Sequence, residues 1–174
     1  INTKYSDGGT VDTLSSVSYS ANPGNILTAF VNSSSYINGE SSSYTISYLS
    51  QNQYLATTSV LIGLPIGMTM NSSSPTCSYS LNGVPLPGIN CSIVTSSGPD
   101  FQTGINISLN NGGILPSGSN LTLTLGSINN PITTQPSNSF SIFSYDSSNY
   151  LIESIKTGII ITMTSPNSFN SMNV

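Results

Sequence analysis

The sequence predicts an all-β protein of the sandwich class, on three observations. Apolar residues come in short alternating runs closed by Gly, Pro, Asn, Asp and Ser. No stretch of ten or so residues combines helical periodicity with helix caps. The runs recur at near-regular spacing without intervening helices, the pattern of a β-sandwich, with a jelly roll or closed barrel as the rival architecture.

The chain of 174 residues is long enough for one ordinary core. Its front, INTKYSDGGTVDTLSSVSYS, is polar and hinged at Gly8-Gly9. Thr10 to Ser20 reads as the first strand. Val11, Thr13, Ser15, Val17 and Tyr19 fall on one face and Leu14 on the other, so Val11, Leu14, Val17 and Tyr19 are its apolar anchors. Strands follow at Ile26 to Asn32, Ser43 to Ser50 and Asn52 to Ile62, with Tyr44, Ile46 and Tyr48 on one face. Further runs span Gly67 to Asn71, Cys77 to Leu81, Gly88 to Val94, Gly104 to Asn110 and Leu121 to Gly126. Ser139 to Asp146, Tyr150 to Glu153 and Thr157 to Thr164 complete the set, the last reading as a strong final strand. Asn82-Gly83 has the chemistry of a tight hairpin turn, and Asn110-Asn111-Gly112-Gly113 offers positive-φ positions. Thr133 to Ser137 reads as a connection between sheets. The expected organisation is an arm and donor strand over 1–20 and a single sandwich over 21–174.

Composition narrows the function. Hydrophobic residues are 36% and charged residues only 5%, the difference being made up by Ser, Thr, Asn and Gly. Disordered chains combine low hydrophobicity with high charge, and this one lacks the charge. Two basic residues cannot neutralise a phosphate backbone, so nucleic acid is excluded as a partner. With no histidine, the usual base of a Ser or Cys nucleophile and the commonest metal ligand are both missing. Asp100, Asp146 and Glu153 would have to be assembled by the fold to serve a glycosidase, and isolated acids of this kind are more often capping or solvated groups. No catalysis, cofactor or metal is expected. Acid should disturb such a fold little, because few carboxylates exist to be protonated.

No run approaches the ~18 apolar residues of a membrane span, so no membrane insertion by the mature chain is expected. The start at Ile1 fits removal of a signal peptide and export. Five sequons, at Asn32, Asn71, Asn90, Asn106 and Asn120, fit N-linked glycosylation. Cys77 and Cys91 bracket the Asn82-Gly83 turn, and a disulfide is their natural reading. Free thiols would imply a reducing compartment, and half of a zinc site would lack its other ligands. Lys4 and Lys156 are the only lysines. Either could form an isopeptide bond with Asn or Asp if burial shifted its pKa, against the plainer reading of a solvated amine.

A Ser/Thr/Asn-rich, sequon-dense sandwich with a strand-forming N-terminal arm resembles the subunit of archaeal threads, surface filaments with an architecture like bacterial type I pilins. The resemblance covers the whole chain in plan and is carried by INTKYSDGGTVDTLSSVSYS, the five sequons and the Cys77/Cys91 pair. It implies an Ig-like or pilin-like sandwich and donor-strand complementation, with the arm of one subunit filling a groove in the next. The partners so implied are identical subunits in a linear, glycosylated, extracellular homopolymer serving adhesion or biofilm. Type I pilins lack their final strand, whereas TGIIITMT at 157–164 supplies one here. The competing readings are a monomeric adhesin or carbohydrate-binding module, using Tyr36, Tyr44, Tyr48 and Tyr54 as stacking surfaces, and a coat or surface-layer protein.

Overall fold

The computed structural model describes residues 2–4, 10–13, 22–55, 58–96, 98–109 and 114–166. Every regular element among them is a strand. These are β1 (Asn2–Lys4), β2 (Thr10–Thr13), β3 (Gly24–Asn25), β4 (Ala29–Ser33), β5 (Ser41–Leu49), β6 (Ser59–Gly63) and β7 (Thr69–Met70). They continue as β8 (Cys77–Leu81), β9 (Val84–Leu86), β10 (Ile89–Thr95), β11 (Thr103–Leu109), β12 (Asn120–Asn129), β13 (Ser141–Tyr145) and β14 (Leu151–Ile155).

Two sheets form the sandwich. One has the order β10-β11-β6-β13-β14-β3, and the other β4-β5-β12-β8-β9 with β7 also on β12. Pairing is antiparallel except for β3, which runs parallel to β14. The chain thus leaves a parallel strand at one sheet edge and crosses to an antiparallel strand, β4, at the edge of the other. That split first strand, with Greek-key crossing between the layers, makes the fold an immunoglobulin-like sandwich. The expected all-β sandwich is the fold.

The strands form because their apolar residues keep a period of two. β5 buries Tyr44, Ile46 and Tyr48 and turns Ser43, Thr45 and Ser47 outward. From β12 come Leu121, Leu123 and Leu125; Val60, Ile62, Ile105, Ile107, Leu109 and Ile142 meet them from the other sheet. The β8–β9 hairpin turns on Asn82 and Gly83, both at positive φ (48° and 82°), the two-residue geometry matching strand twist. β9 itself went unread in the sequence, because Pro85 and Pro87 obscure it.

Two expectations change. Asn52 to Ile62 is not one strand: a loop precedes β6. Of the strand expected over 10–20, Thr10–Thr13 lie among the described residues, as β2. The described residues of the front form a hairpin, β1 on β2, with Asn2 opposite Thr13 and Thr3 opposite Asp12, and this hairpin belongs to neither sandwich sheet. Val11 lies in β2, while Leu14, Val17 and Tyr19 lie outside the described residues. Among the described residues the final ladder strand is β14, not Thr157 to Thr164. Residues 159–163 do alternate buried and exposed, but the Ile159 and Ile161 N–H groups donate to the Ser139 and Ser137 hydroxyls at 3.0 and 3.1 Å, so side chains take over from a ladder.

Candidate functional site

Sequence-level reasoning directs attention to the arm, the cysteines, the acids and lysines, the sequons, and any sheet edge able to accept a strand. The cysteines join the layers. Cys77 of β8 and Cys91 of β10 form a disulfide with Cα atoms 6.4 Å apart, so the bond staples one flank of the sandwich rather than the hairpin it brackets. Such a bond is that of an oxidising compartment.

On that flank β10 edges the first sheet, and the edge of the second sheet is guarded against strand addition. The outermost strand there, β9, carries Pro85, which has no N–H to offer a neighbour.

The opposite flank is built differently. Leu49 N–H donates to the Thr28 carbonyl and Ser34 N–H to the Ser43 carbonyl. This register turns the even-numbered residues of β4 toward β5 and leaves the N–H and C=O groups of Ala29 and Val31 facing outward. No backbone partner meets them among the described residues. β4 reads Ala-Phe-Val-Asn-Ser, without the proline or charge that normally blunts an edge.

A second open edge lies beside the first. Thr164 N–H donates to the Tyr36 carbonyl at 2.7 Å, and its own carbonyl accepts from Asn38 N–H at 3.0 Å, forming a parallel bridge with Ile37. In an extended segment, alternate residues share an edge, so Ile160 and Thr162 aim their backbone groups the same way as Thr164. Their neighbours Ile159 and Ile161 are already bonded to residues 137–140 on the other side. Ile160 and Thr162 have no backbone partner among the described residues. Two unguarded backbone edges, β4 and 159–163, thus approach a common bridge just beyond the end of β4. Val31 is half-buried between core and solvent, while Phe30 and Ile160 are 65% and 55% exposed.

The chemistry-bearing residues are placed otherwise than a catalytic reading needs. Glu153, fully buried on β14, accepts hydrogen bonds from Gln51 N–H, Asn52 N–H and Asn52 Nδ2, each at 3.0 Å, and from the Tyr54 hydroxyl at 2.6 Å. It pins the β5–β6 loop to the facing sheet, which is why that segment is not strand. Close approach requires glycine at Gly24, where a Cβ would fall 2.5 Å from Asn52 Nδ2. Asp146 caps its own turn through Ser148 and Tyr150 N–H. Asp100 pairs with Lys156 at 2.9 Å, the lysine being half exposed and lying 5.4 Å from the Phe143 ring centre. The three acids therefore serve separate local contacts. Lys156 is not in the buried setting an isopeptide bond requires, and Glu153 faces away from it into the core. Lys4 falls in β1, whose side chains are not described.

Tyr44, Tyr48 and Tyr54 are buried and cannot be a stacking platform. Burial is the chief cause that pushes the Tyr44 hydroxyl up to about 12 and raises Tyr48 and Tyr54 as well. Tyr44 also donates to Asn130 Oδ1, while Asn130 Nδ2 donates to the Ser35 and Ile37 carbonyls at 3.0 and 2.7 Å. The network fixes the loop that ends in the Ile37–Thr164 bridge. Asn32, Asn71, Asn90 and Asn120 are exposed, and Asn106 is half-buried in the middle of β11.

Comparison with known proteins adds the following. No protein-family model and no curated protein matches the chain. Among solved structures, a protein of Nocardia farcinica described as having an immunoglobulin-like fold aligns at 16% identity and TM-score 0.41, over 84% of this chain and 90% of its own. AvmM, described as catalysing macrocyclization in alchivemycin A biosynthesis, aligns at 12% identity and TM-score 0.39, over 97% and 98%. These alignments are too distant to bear on function. The open flank went unseen in the sequence, although the absence of Pro, Lys and Glu from Ala29 to Ser33 is a signal that could have found it.

Proposed function

We propose that the chain is the structural subunit of a glycosylated extracellular filament of the archaeal-thread kind, assembled head-to-tail by strand exchange. The N-terminal arm of one copy, with Val11, Leu14, Val17 and Tyr19 as anchors, lies along the open flank of the next. It pairs there with Ala29 and Val31 on one side and Ile160 and Thr162 on the other. The observation that carries this reading is that flank: two unguarded backbone edges, in a molecule whose opposite flank is stapled and carries a proline on the outer strand of the same sheet, β9. A donor strand would satisfy the outward N–H and C=O groups and cover Val31 and Ile160. The contact is heterologous, and such contacts propagate into open polymers unless the rotation closes. The staple and the sequons agree with an exported protein. No cofactor or catalytic step belongs to this role.

Removal of residues 1–20 is the test. The full chain is expected to form polymers visible by negative stain, and the truncated chain to remain as subunits that no longer join. Polymers formed equally well by the truncated chain would overturn the reading.

A further inference from the structure

Phe30 is an unexplained residue. It stands 65% exposed on the outer face of β4, beside the hydroxyl residues Thr28 and Ser47. Across the sheet it faces Ser47, which faces Thr122, and these two share a hydrogen bond at 3.0 Å. One pair further along, Leu49 lies opposite Asn120, the sequon asparagine at the start of β12. Phe30, Leu49 (41% exposed), Thr28, Ser47 and Asn120 line one shallow cleft of about 280 Å³. It has an aromatic face, an aliphatic wall, two hydroxyls, and an exposed glycosylatable amide at its rim.

We infer that this cleft seats the first sugars of an N-linked glycan on Asn120, with Phe30 as the stacking surface. A pyranose ring presents axial C–H groups on one face and hydroxyls around its rim. The C–H face suits the electron-rich face of an aromatic ring, and the rim suits the Thr28 and Ser47 hydroxyls. Apolar walls with a few placed polar groups are the usual make-up of a ligand site. A covalent sugar at the rim is held at high effective concentration, so even a weak seat is occupied. Among the described residues nothing covers the exposed ring; the glycan supplies that cover. The inference rests on the glycosylation part of the proposed function and goes beyond it by assigning the glycan a binding site on its own subunit.

The test is a double-mutant cycle on protein made in a glycosylating host, with site occupancy read by mass spectrometry and stability by thermal unfolding. The four proteins are the wild type, Asn120→Gln, Phe30→Ala and the double variant. Phe30 is exposed and makes no core contact, so its replacement leaves the fold intact. With Asn120 occupied, each single variant is expected to lower Tm by about 3 °C, and Phe30→Ala to cost nothing further once Asn120 is gone. Additive losses at an occupied Asn120 would mean a glycan standing free in solvent, which overturns the seat while leaving glycosylation in place. A parallel cycle uses Asn32→Gln in place of Asn120→Gln, and coupling of Phe30 to Asn32 instead of Asn120 would overturn the assignment to Asn120. An unmodified Asn120 would overturn the seat, and unmodified sequons throughout would overturn the glycosylation reading as well.

Discussion

On the flank where β8 and β9 meet β10, a covalent bond crosses between the layers and Pro85 denies the outer strand a donor. On the flank of β4 and residues 159–163, neither device is present, and Ala29, Val31, Ile160 and Thr162 direct backbone groups outward. Both flanks end in the same kind of strand, so the difference is one of finish rather than of fold. A sheet edge is a liability that proteins ordinarily blunt with proline, charge or cover. In the second sheet one edge, β9, is blunted and the other, β4, is bare, so that sheet offers a single direction in which a strand can be added, which is what a linear polymer needs.

Variants on either flank put this contrast to the test. The largest effect is expected from Val31→Pro. The N–H lost is one that faces outward, so the ladder to β5 keeps its bonds, whereas an incoming strand loses a partner. Polymer should vanish from negative-stain images while the circular dichroism of the subunit keeps its β form. The mirror experiment, Pro85→Val on β9, should leave the subunit folded and open a second edge, giving branched or laterally aggregated material on a sizing column.

Next come changes to the body itself. Glu153→Leu removes the acceptor of four hydrogen bonds and leaves the buried Tyr54 hydroxyl and the partly buried Gln51 and Asn52 donors without it; a loss of about 3 kcal/mol is expected from urea unfolding, with the slope unchanged. Cys77→Ser with Cys91→Ser should cost a similar amount, about 3 kcal/mol for a loop of this length, and should loosen only the stapled flank. Polymerisation should survive it, since the exchange edge lies on the other side.

The smallest effect concerns alkaline pH. Burial raises Tyr44 to about 12 and lifts Tyr48 and Tyr54 too. A phenol whose folded pKa is raised contributes its full stability below the unfolded value of about 10, and that contribution is lost as pH climbs toward the folded pKa. Stability should therefore be flat up to about pH 10 and fall above it. Absorbance of ionised tyrosine should lag for these three residues until the protein unfolds. Replacing Tyr54 by Phe should remove part of the fall.

The alternating runs made the sandwich legible in the sequence, because period-two burial is written directly into β5 and β12. The Asn82-Gly83 turn and the cysteine bond were legible for the same local reason. What stayed hidden depends on residues distant in the chain. Glu153 stands three residues before Lys156 in the sequence, yet its partners are about one hundred positions earlier. TGIIITMT had the composition of a ladder strand, but Ser137 and Ser139 answer its N–H groups with side chains. Tyr44, Tyr48 and Tyr54 were legible either as core or as a sugar platform, and only their burial decides. The open flank is a property of register, and register is fixed by pairings a single strand does not announce.

Amide hydrogen exchange of dissociated subunits against assembled polymer reads strand exchange at the open flank residue by residue. The outward amides of Ala29, Val31, Ile160 and Thr162 should exchange rapidly in the subunit and become protected in the polymer, while β9 and β10 on the stapled flank remain unchanged. Protection of those four amides already in the isolated subunit, or protection appearing at β9 and β10 instead, would contradict the account.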